Sequence, residues 1–152
     1  QSPRIIRGNA SEIMALAGYS SITKGPESTS SSADALHAAR ELALHTGAAV
    51  LVTGRTDYST DGRQVTATEN GHAMMSRVTG VGCSMGALSA ACAAVSPTPL
   101  QAAVSTAVLM GIAGEMAFEQ SPSPGSFAVS LLDSLYALSP EDVVRRARFL
   151  SL

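Results

Sequence analysis

The sequence predicts a layered α/β domain, and three observations support that prediction. A continuous apolar run, Ala48 to Thr53, is followed by glycine, which is typical of a strand buried on both faces of a parallel sheet. A glycine-rich stretch, Thr79 to Gly86, opens into a run of helix-forming residues. The order of a helix, a buried strand, a hairpin, a glycine loop and several packed helices fits helices layered on a sheet.

Composition limits the classes of protein to which the chain can belong. Its 152 residues, 45% of them hydrophobic, suit one globular domain with its own core. A net charge of −2, with 14% charged residues, gives no cationic surface for nucleic acid. No segment has a signal-peptide layout, and the most apolar helix, around Ala102 to Ala113, is too short to span a bilayer. We therefore expect a soluble, cytoplasmic protein with no membrane or nucleic-acid partner.

The first elements are a strand and a capped helix. Arg4 to Arg7 reads as a buried strand, and Asn9 with Glu12 forms the pattern of a capping box for a helix that stops at Gly18. From these residues alone, Glu12 is a capping residue and Arg7 a surface arginine.

The next segment is a predicted loop followed by a helix. Ser20 to Ser32 has the composition of a mobile loop, and Ala33 to Thr46 is predicted to be a helix. His37 and His45 on this helix are too far apart to share a metal ion, so we interpret both as surface or boundary residues.

A hairpin is predicted beyond the buried strand. Asp57 to Thr60 and Gln64 to Thr68 flank the turn Asp61-Gly62-Arg63, so the two strands would extend the edge of the sheet in antiparallel fashion. His72 follows another turn and is interpreted as structural.

The second half of the chain is predicted to be helical. The helices run from the glycine-rich stretch, from Thr98 to about Glu119, from Gly125 to Leu138, and from a cap at Ser139. Three arginines near the end of the last helix, Arg145, Arg146 and Arg148, suit its negative pole and do not indicate a binding patch.

The glycine-rich stretch is the strongest candidate for chemistry. Glycines at 80 and 82 allow a ligand to approach the backbone, and the first turn of the following helix offers free N–H groups to an anion such as phosphate. The spacing matches neither G-x-G-x-x-G nor a Walker motif, so a loop that only lets the helix pack closely remains an alternative. Cys83 lies in that first turn, where the helix dipole favours a thiolate, whereas Cys92 is expected to be a buried hydrophobic residue.

Together these blocks resemble the hydroxyethylthiazole kinases of thiamine salvage, a branch of the ribokinase-like superfamily. Cys83 is distinctive, because other ribokinase-like kinases typically have aspartate there. The blocks that carry the resemblance are Ile6 to Ile13, Val52 to Gly54 with Asp57-Tyr58, Asn70 to His72, Val78 to Cys83, Gly111 to Glu115, and Pro124 to Phe127.

The resemblance implies a fold and a place within it. The fold would be a ribokinase-like α/β/α domain with a mainly parallel central sheet and an antiparallel edge. Residues 1–152 would form the C-terminal part of a single such domain. The chain begins without methionine and at once enters a strand, so we expect a missing N-terminal segment. That segment would hold much of the thiazole pocket and one acidic magnesium ligand.

The resemblance also implies a reaction. The enzyme would transfer the γ-phosphoryl group of ATP to the hydroxyl of 4-methyl-5-(2-hydroxyethyl)thiazole, with Mg²⁺ as cofactor. Whether Cys83 removes the hydroxyl proton stays open. The implied site residues are Arg7 and Thr53 for ATP, Glu12 for the metal, Gly80 for substrate, the N–H groups of Gly80, Val81, Gly82 and Cys83 for the phosphoryl group, and Cys83 for catalysis.

The resemblance further implies a homotrimer with active sites between subunits. One sheet cannot cover the apolar residues on every side of the helix around Ala102 to Leu109; the helices after Gly125 are expected to cover part of them, and the rest agrees with such an assembly. Two alternatives remain: another ribokinase-like enzyme, such as a hydroxymethylpyrimidine kinase or a nucleotide-repair dehydratase, which Cys83 disfavours, and a truncated nucleotide-binding domain without catalysis.

Overall fold

A computed structural model describes residues 3–19 and 32–152. One five-stranded sheet has its strands in chain order, with β1 and β2 parallel and every later neighbouring pair antiparallel. The strands are β1 (Ile5–Asn9), β2 (Ala49–Thr53), β3 (Asp57–Thr60), β4 (Val65–Thr68) and β5 (Phe149–Ser151).

Six α-helices and one 3-10 helix accompany the sheet in the described ranges. The α-helices are α1 (Ala10–Leu16), α2 (Ser32–Thr46), α3 (Val81–Val95), α4 (Pro99–Gln120), α5 (Pro124–Ala137) and α6 (Pro140–Arg146), and the 3-10 helix is Ala73–Arg77.

The residues of β2 divide the domain into three layers. Val50 and Val52 point to one face and pack with α1 and α2, whereas Ala49 and Leu51 point to the other and join a core built mainly from α3, α4 and α5. Successive side chains of a strand face opposite sides, so a strand between two helical layers must be apolar throughout. The predicted α/β/α layering and the burial of β2 are therefore confirmed.

Caps predicted from sequence explain where several helices begin. Asn9 and Ser139 each form a capping box, and Thr98 accepts a hydrogen bond from Gln101 N with Pro99 in the first helical position. The loop predicted at Ser20 to Ser32 cannot be compared in this way, since residues 20–31 lie outside the described part of the chain.

The sheet corrects one part of the prediction. Among the described strands only the β1–β2 pairing is parallel, so the sheet here is mixed, and its antiparallel part is larger than predicted. The added strand is β5, which pairs with β4 and has exposed side chains throughout. A short strand without a buried face leaves no alternating pattern in the sequence.

The prediction that the most apolar helix is too short to span a bilayer is also corrected. Within the described residues α4 is the one helix long and apolar enough to cross a membrane, at 22 residues, and 61% of its most apolar window is buried inside the protein. It packs against α3, α5 and the sheet, which bury Ala102, Ala103, Ala107 and Val108. Neighbours in the same chain thus cover most of the apolar surface that the sequence left unassigned.

Candidate functional site

A cleft of about 610 Å³ opens where the parallel strands β1 and β2 end, beside the first turn of α3. In α/β sheets, ligands bind beyond the carboxyl ends of the strands. Four of the predicted site residues meet in this cleft. Its lining is formed by Arg7, Asn9, Glu12, Ile13, Leu16, Thr53 and Gly82.

Arg7 connects β1 to the glycine-rich turn. Its guanidinium donates a hydrogen bond to the Gly82 carbonyl oxygen, and a Cβ added to Gly82 or Gly86 would lie 3.6 Å from Nη2. Alanine at either position would thus meet the guanidinium at an ordinary van der Waals distance, so this contact does not require glycine there. Arginine has five N–H donors, so this contact leaves others for an anion in the cleft.

The predicted glycine turn is confirmed as the start of α3. Gly80 is the N-cap, with φ of +96°, a left-handed conformation that favours glycine, and no side chain caps the helix. The first helical hydrogen bond runs from Ser84 N to Gly80 O, at 2.9 Å. The N–H groups of Val81, Gly82 and Cys83 come before it and have no partner within the helix. A helix end of this kind, at the wall of the cleft, is suited to accept an anion.

Glu12 has the capping role that its spacing predicts. Asn9 Oδ1 accepts from Glu12 N at 3.0 Å, and Glu12 Oε2 accepts from Asn9 N at 2.8 Å. Glu12 also lines the cleft, and the cap engages Oε2 and not Oε1. Capping and a ligand role are thus compatible, because they use different oxygens of the carboxylate.

Thr53 and Cys83 differ in their relation to the cleft. Thr53 ends β2 opposite Asn9 and lines the cleft directly. Cys83 is exposed one residue beyond Gly82 and is not part of the cleft lining. Gly80 is likewise exposed at the same helix end. Cys92 is buried, as predicted.

Asp57 belongs to a predicted strand and to one block of the family resemblance, but no role at the site was predicted for it. Its Oδ1 accepts a hydrogen bond from Gly54 N at 2.9 Å, which closes the turn between β2 and β3. Burial raises the pKa of Asp57 to about 6, and the Gly54 N–H group opposes that rise only in part. The signal in the sequence was the spacing of this aspartate, three residues after the glycine that ends β2.

The raised pKa of Asp57 predicts how stability depends on pH. Between the unfolded pKa, near 3.8, and the folded pKa, about 6, the folded protein binds more protons, so Asp57 makes the fold less stable as pH rises through this window. Asp57→Asn is expected to raise unfolding free energy at pH 7.5 by at most about 3 kcal/mol and to have no such effect below pH ~4. Denaturant titrations at both pH values test this, and an equal gain at both would contradict it.

The histidines and C-terminal arginines for which the sequence predicted no functional role are surface residues or form structural contacts. His72 caps the 3-10 helix and stacks on Phe118 with ring centroids 3.6 Å apart, while His37 and His45 are exposed. Arg146 and Arg148 form ion pairs with acidic residues of α4, as Arg145 does with Asp142. Within residues 3–19 and 32–152, no group of three or more histidine, cysteine, aspartate or glutamate residues could hold a metal ion.

Asn70 and Glu115, which the sequence placed only in blocks of the family resemblance, anchor the loop that leads to Gly80. Asn70 is 5% exposed; its Nδ2 donates to Arg146 O at 2.8 Å, and its Oδ1 accepts from Arg148 N at 2.7 Å. Glu115 on α4 accepts from Gly71 N at 2.8 Å. The start of the loop is therefore fixed to α4 and to the segment before β5.

Comparisons with known proteins agree on one family. The sequence model of the hydroxyethylthiazole kinase family matches residues 1–141. A hydroxyethylthiazole kinase of Akkermansia muciniphila is 99% identical over 152 residues, which are all of this chain and 56% of that protein. One from Granulibacter bethesdensis is 54% identical over 136 residues, 90% of this chain and 50% of that protein. The chain thus spans about half the length of these relatives.

A solved structure gives the same result for the fold. The hydroxyethylthiazole kinase protein of Pyrococcus horikoshii OT3 superposes with a TM-score of 0.85 and 36% sequence identity, over 97% of this chain and 54% of that one. The predicted ribokinase-like α/β class is confirmed by this likeness. With the family match over most of its length, the chain belongs to the hydroxyethylthiazole kinase family.

Proposed function

We propose that the full-length protein containing this chain transfers the γ-phosphoryl group of ATP to the hydroxyl of 4-methyl-5-(2-hydroxyethyl)thiazole, in thiamine biosynthesis or salvage. One observation carries the proposal beyond family membership. The cleft at the ends of β1 and β2 joins a guanidinium, a carboxylate and the N-terminus of α3, which together suit a polyphosphate.

The residues have distinct roles in this proposal. Arg7 and Thr53 hold ATP, and the N–H groups of Gly80, Val81, Gly82 and Cys83 hold the phosphoryl group as it transfers. Gly80 also lies against the thiazole substrate. Phosphoryl transfer depends chiefly on positioning and charge stabilisation, and each of these groups supplies one or the other.

In the proposed step one bond to the γ-phosphorus forms and another breaks. The substrate hydroxyl oxygen forms a bond to the γ-phosphorus, the bond from that phosphorus to the β,γ-bridging oxygen breaks, and ADP leaves. The hydroxyl proton passes to Cys83, which acts in its thiolate form as the general base. Exposure of Cys83 beside Gly82 supports access of substrate to the sulfur.

The carboxylate of Glu12 fits a magnesium site. Magnesium usually keeps several waters and is bound by one or two carboxylates together with substrate phosphates, so no larger acidic cluster is required. Glu12 Oε1 is the oxygen that the capping box does not use. When bound there, Mg²⁺ neutralises charge on the phosphates.

Glu12→Gln separates the metal role from the capping role. Glutamine can still accept from Asn9 N, as capping boxes with glutamine do, but it lacks the negative charge that holds Mg²⁺. We expect the Mg²⁺ concentration for half-maximal rate to rise about tenfold, with a stability change below about 1 kcal/mol. Kinetics at varied Mg²⁺ and a denaturant titration test this in the A. muciniphila relative; a loss of stability alone would leave Glu12 as a cap only.

The reaction itself can be tested with the same relative, which is 99% identical to this chain. The purified protein is incubated with ATP, Mg²⁺ and either the thiazole alcohol or hydroxymethylpyrimidine, and products are identified by mass spectrometry. We expect a phosphorylated thiazole. Preferential phosphorylation of the pyrimidine would favour another ribokinase-like kinase, and ATP binding without transfer to either would favour a non-catalytic nucleotide-binding domain.

We also propose that the full-length enzyme is a cytoplasmic homotrimer whose active sites lie between subunits and draw on an N-terminal segment of the same protein. Two observations support this. Free thiols at Cys83 and Cys92 suit a reducing compartment. Exposed apolar residues of α5, at i, i+3 and i+7, offer a surface for a second copy, and they are Val129, Leu132 and Tyr136.

Light scattering at micromolar concentration tests this assembly. The A. muciniphila protein is expected to have three times its monomer mass, because the proposed assembly is a closed ring of three copies. Kinetics on the same sample are the control. A monomer mass with full activity would exclude shared sites, and a dimer mass would exclude three-fold symmetry.

A further inference from the structure

Asp57 lies on the same face of the sheet as the proposed ATP contacts. Asn9 pairs with Thr53, and Leu51, two residues before Thr53, pairs with Ser59, two residues after Asp57. Residues two apart on a strand, and residues directly opposite in neighbouring strands, share a face. Asp57 therefore lies on the face that carries Asn9 and Thr53, at the same end of the sheet.

The Asp57 carboxylate fixes the turn that follows Thr53. Its bond to Gly54 N, at 2.9 Å, spans the whole connection between β2 and β3. Gly54 is exposed, so without this acceptor its N–H group would turn to water and the peptide after Thr53 would be free to rotate. The position of the Thr53 carbonyl and side chain at the cleft thus depends on a side chain that does not line the cleft.

The surroundings of Asp57 differ from those of an ordinary turn residue. Asp61, at the other end of β3, forms the same kind of side-chain bonds, to Arg63 N and Gln64 N. Burial raises the pKa of Asp57, whereas the hydrogen bonds from the Gln64 and Arg63 backbone lower the pKa of Asp61. Thr68, directly opposite Asp57 on β4, is fully buried with no hydrogen-bond partner for Oγ1 among the described residues.

We propose that Asp57 is a positioning residue for the nucleotide: its hydrogen bond to Gly54 N holds the end of β2 so that Thr53 meets ATP. This inference rests on the proposed function, since it takes Thr53 as an ATP contact. Asp57 does not touch the reacting atoms. It acts on ATP affinity and not on the chemical step.

The test compares three variants of the A. muciniphila relative. Asp57→Ala removes the acceptor and is expected to raise KM for ATP about tenfold while kcat stays within about twofold. The net free energy that one hydrogen bond contributes is enough to change a binding constant about tenfold. Asp57→Asn keeps an acceptor oxygen and should restore KM to within about twofold of wild type. Asp61→Ala is the matched control, because it removes an equivalent turn bond at the far end of β3 and should leave KM unchanged.

Equilibrium binding of ATP, measured by calorimetry without thiazole, separates this inference from the proposed function. If wild type does not transfer phosphate, the proposed function fails, and the binding constants of Asp57→Ala and Asp57→Asn still test the positioning role. Unchanged ATP affinity in Asp57→Ala, equal losses in both Asp57 variants, or an equal loss in Asp61→Ala would overturn it. Should Asp57→Ala not fold, Asp57→Ser, with a shorter acceptor, takes its place and should lose affinity.

Discussion

Replacing Gly111 by alanine is expected to lower the free energy of unfolding by about 3 kcal/mol or more, the upper part of the range for overpacked cores. A Cβ at this position of α4 would lie 2.5 Å from the Asn70 Cβ and 2.7 Å from the Asn70 backbone carbon and oxygen. Asn70 cannot move away easily, because its amide is bonded to the backbone at Arg146 and Arg148. In the A. muciniphila relative, the melting temperature should fall by about 6–12 °C.

Two other glycines provide matched controls for Gly111→Ala. A Cβ at Gly114 would overlap the Met75 side chain, which is flexible and can adopt another rotamer, so Gly114→Ala should cost less. Gly125, in the first turn of α5, has no described atom within 4 Å of an added Cβ, and alanine there should be neutral or slightly stabilising. Equal losses for Gly111→Ala and Gly125→Ala would show that the contact with Asn70 does not matter.

Replacing Cys83 by alanine is expected to lower turnover about 10²-fold, with KM for ATP changed less than about twofold. This loss of turnover lies at the low end of the range of about 10²–10⁴-fold that is typical of proton transfer by a side chain. A loose transition state needs little help from a base. The free N–H groups at the start of α3 belong to the backbone and stay in place, which is why nucleotide affinity should persist. Steady-state kinetics of the A. muciniphila relative with both substrates varied test this expectation.

The second cysteine is the natural control for Cys83. Cys92 lies on the same helix but is buried, so Cys92→Ala should reduce stability and leave turnover close to wild type. If Cys83→Ala keeps wild-type turnover, Cys83 is not a catalytic residue. A similar loss of turnover in both variants would indicate that α3 as a whole, and not its first turn, is sensitive.

Local signals explain what the sequence predicted well. The caps at Asn9 and Thr98 and the left-handed Gly80 depend on residues within four positions of one another. The same holds for the burial of β2, because a strand covered on both faces must be apolar at every position. The family resemblance, and no local pattern, placed Arg7 and Glu12 with Thr53 at one site, and all three line one cleft in the folded protein.

Features that depend on the folded turn or on distant partners could not be predicted for a physical reason. Asp57 is a strand residue by pattern, and only the folded turn shows that its carboxylate is bonded to Gly54 N. The anchoring of Asn70 by Glu115 and the segment before β5 joins residues that no local pattern relates. How much of α4 its own chain covers was also beyond the sequence, because counting apolar faces on one helix cannot show how many neighbours will surround it.

The contacts of Asn70 also set an order in which the protein can assemble. Arg146 and Arg148 follow Asn70 by 76 and 78 positions, so these bonds close one of the longest loops in the structure. Closing a long loop costs entropy before any contact repays it, and non-local contacts of this kind form late in folding. A nascent chain that has emerged only as far as α5 therefore contains the glycine-rich turn and the Glu115 contacts of Asn70 and Gly71, but not the bonds from Asn70 to the backbone at Arg146 and Arg148. At that stage α4 alone would hold the start of the loop.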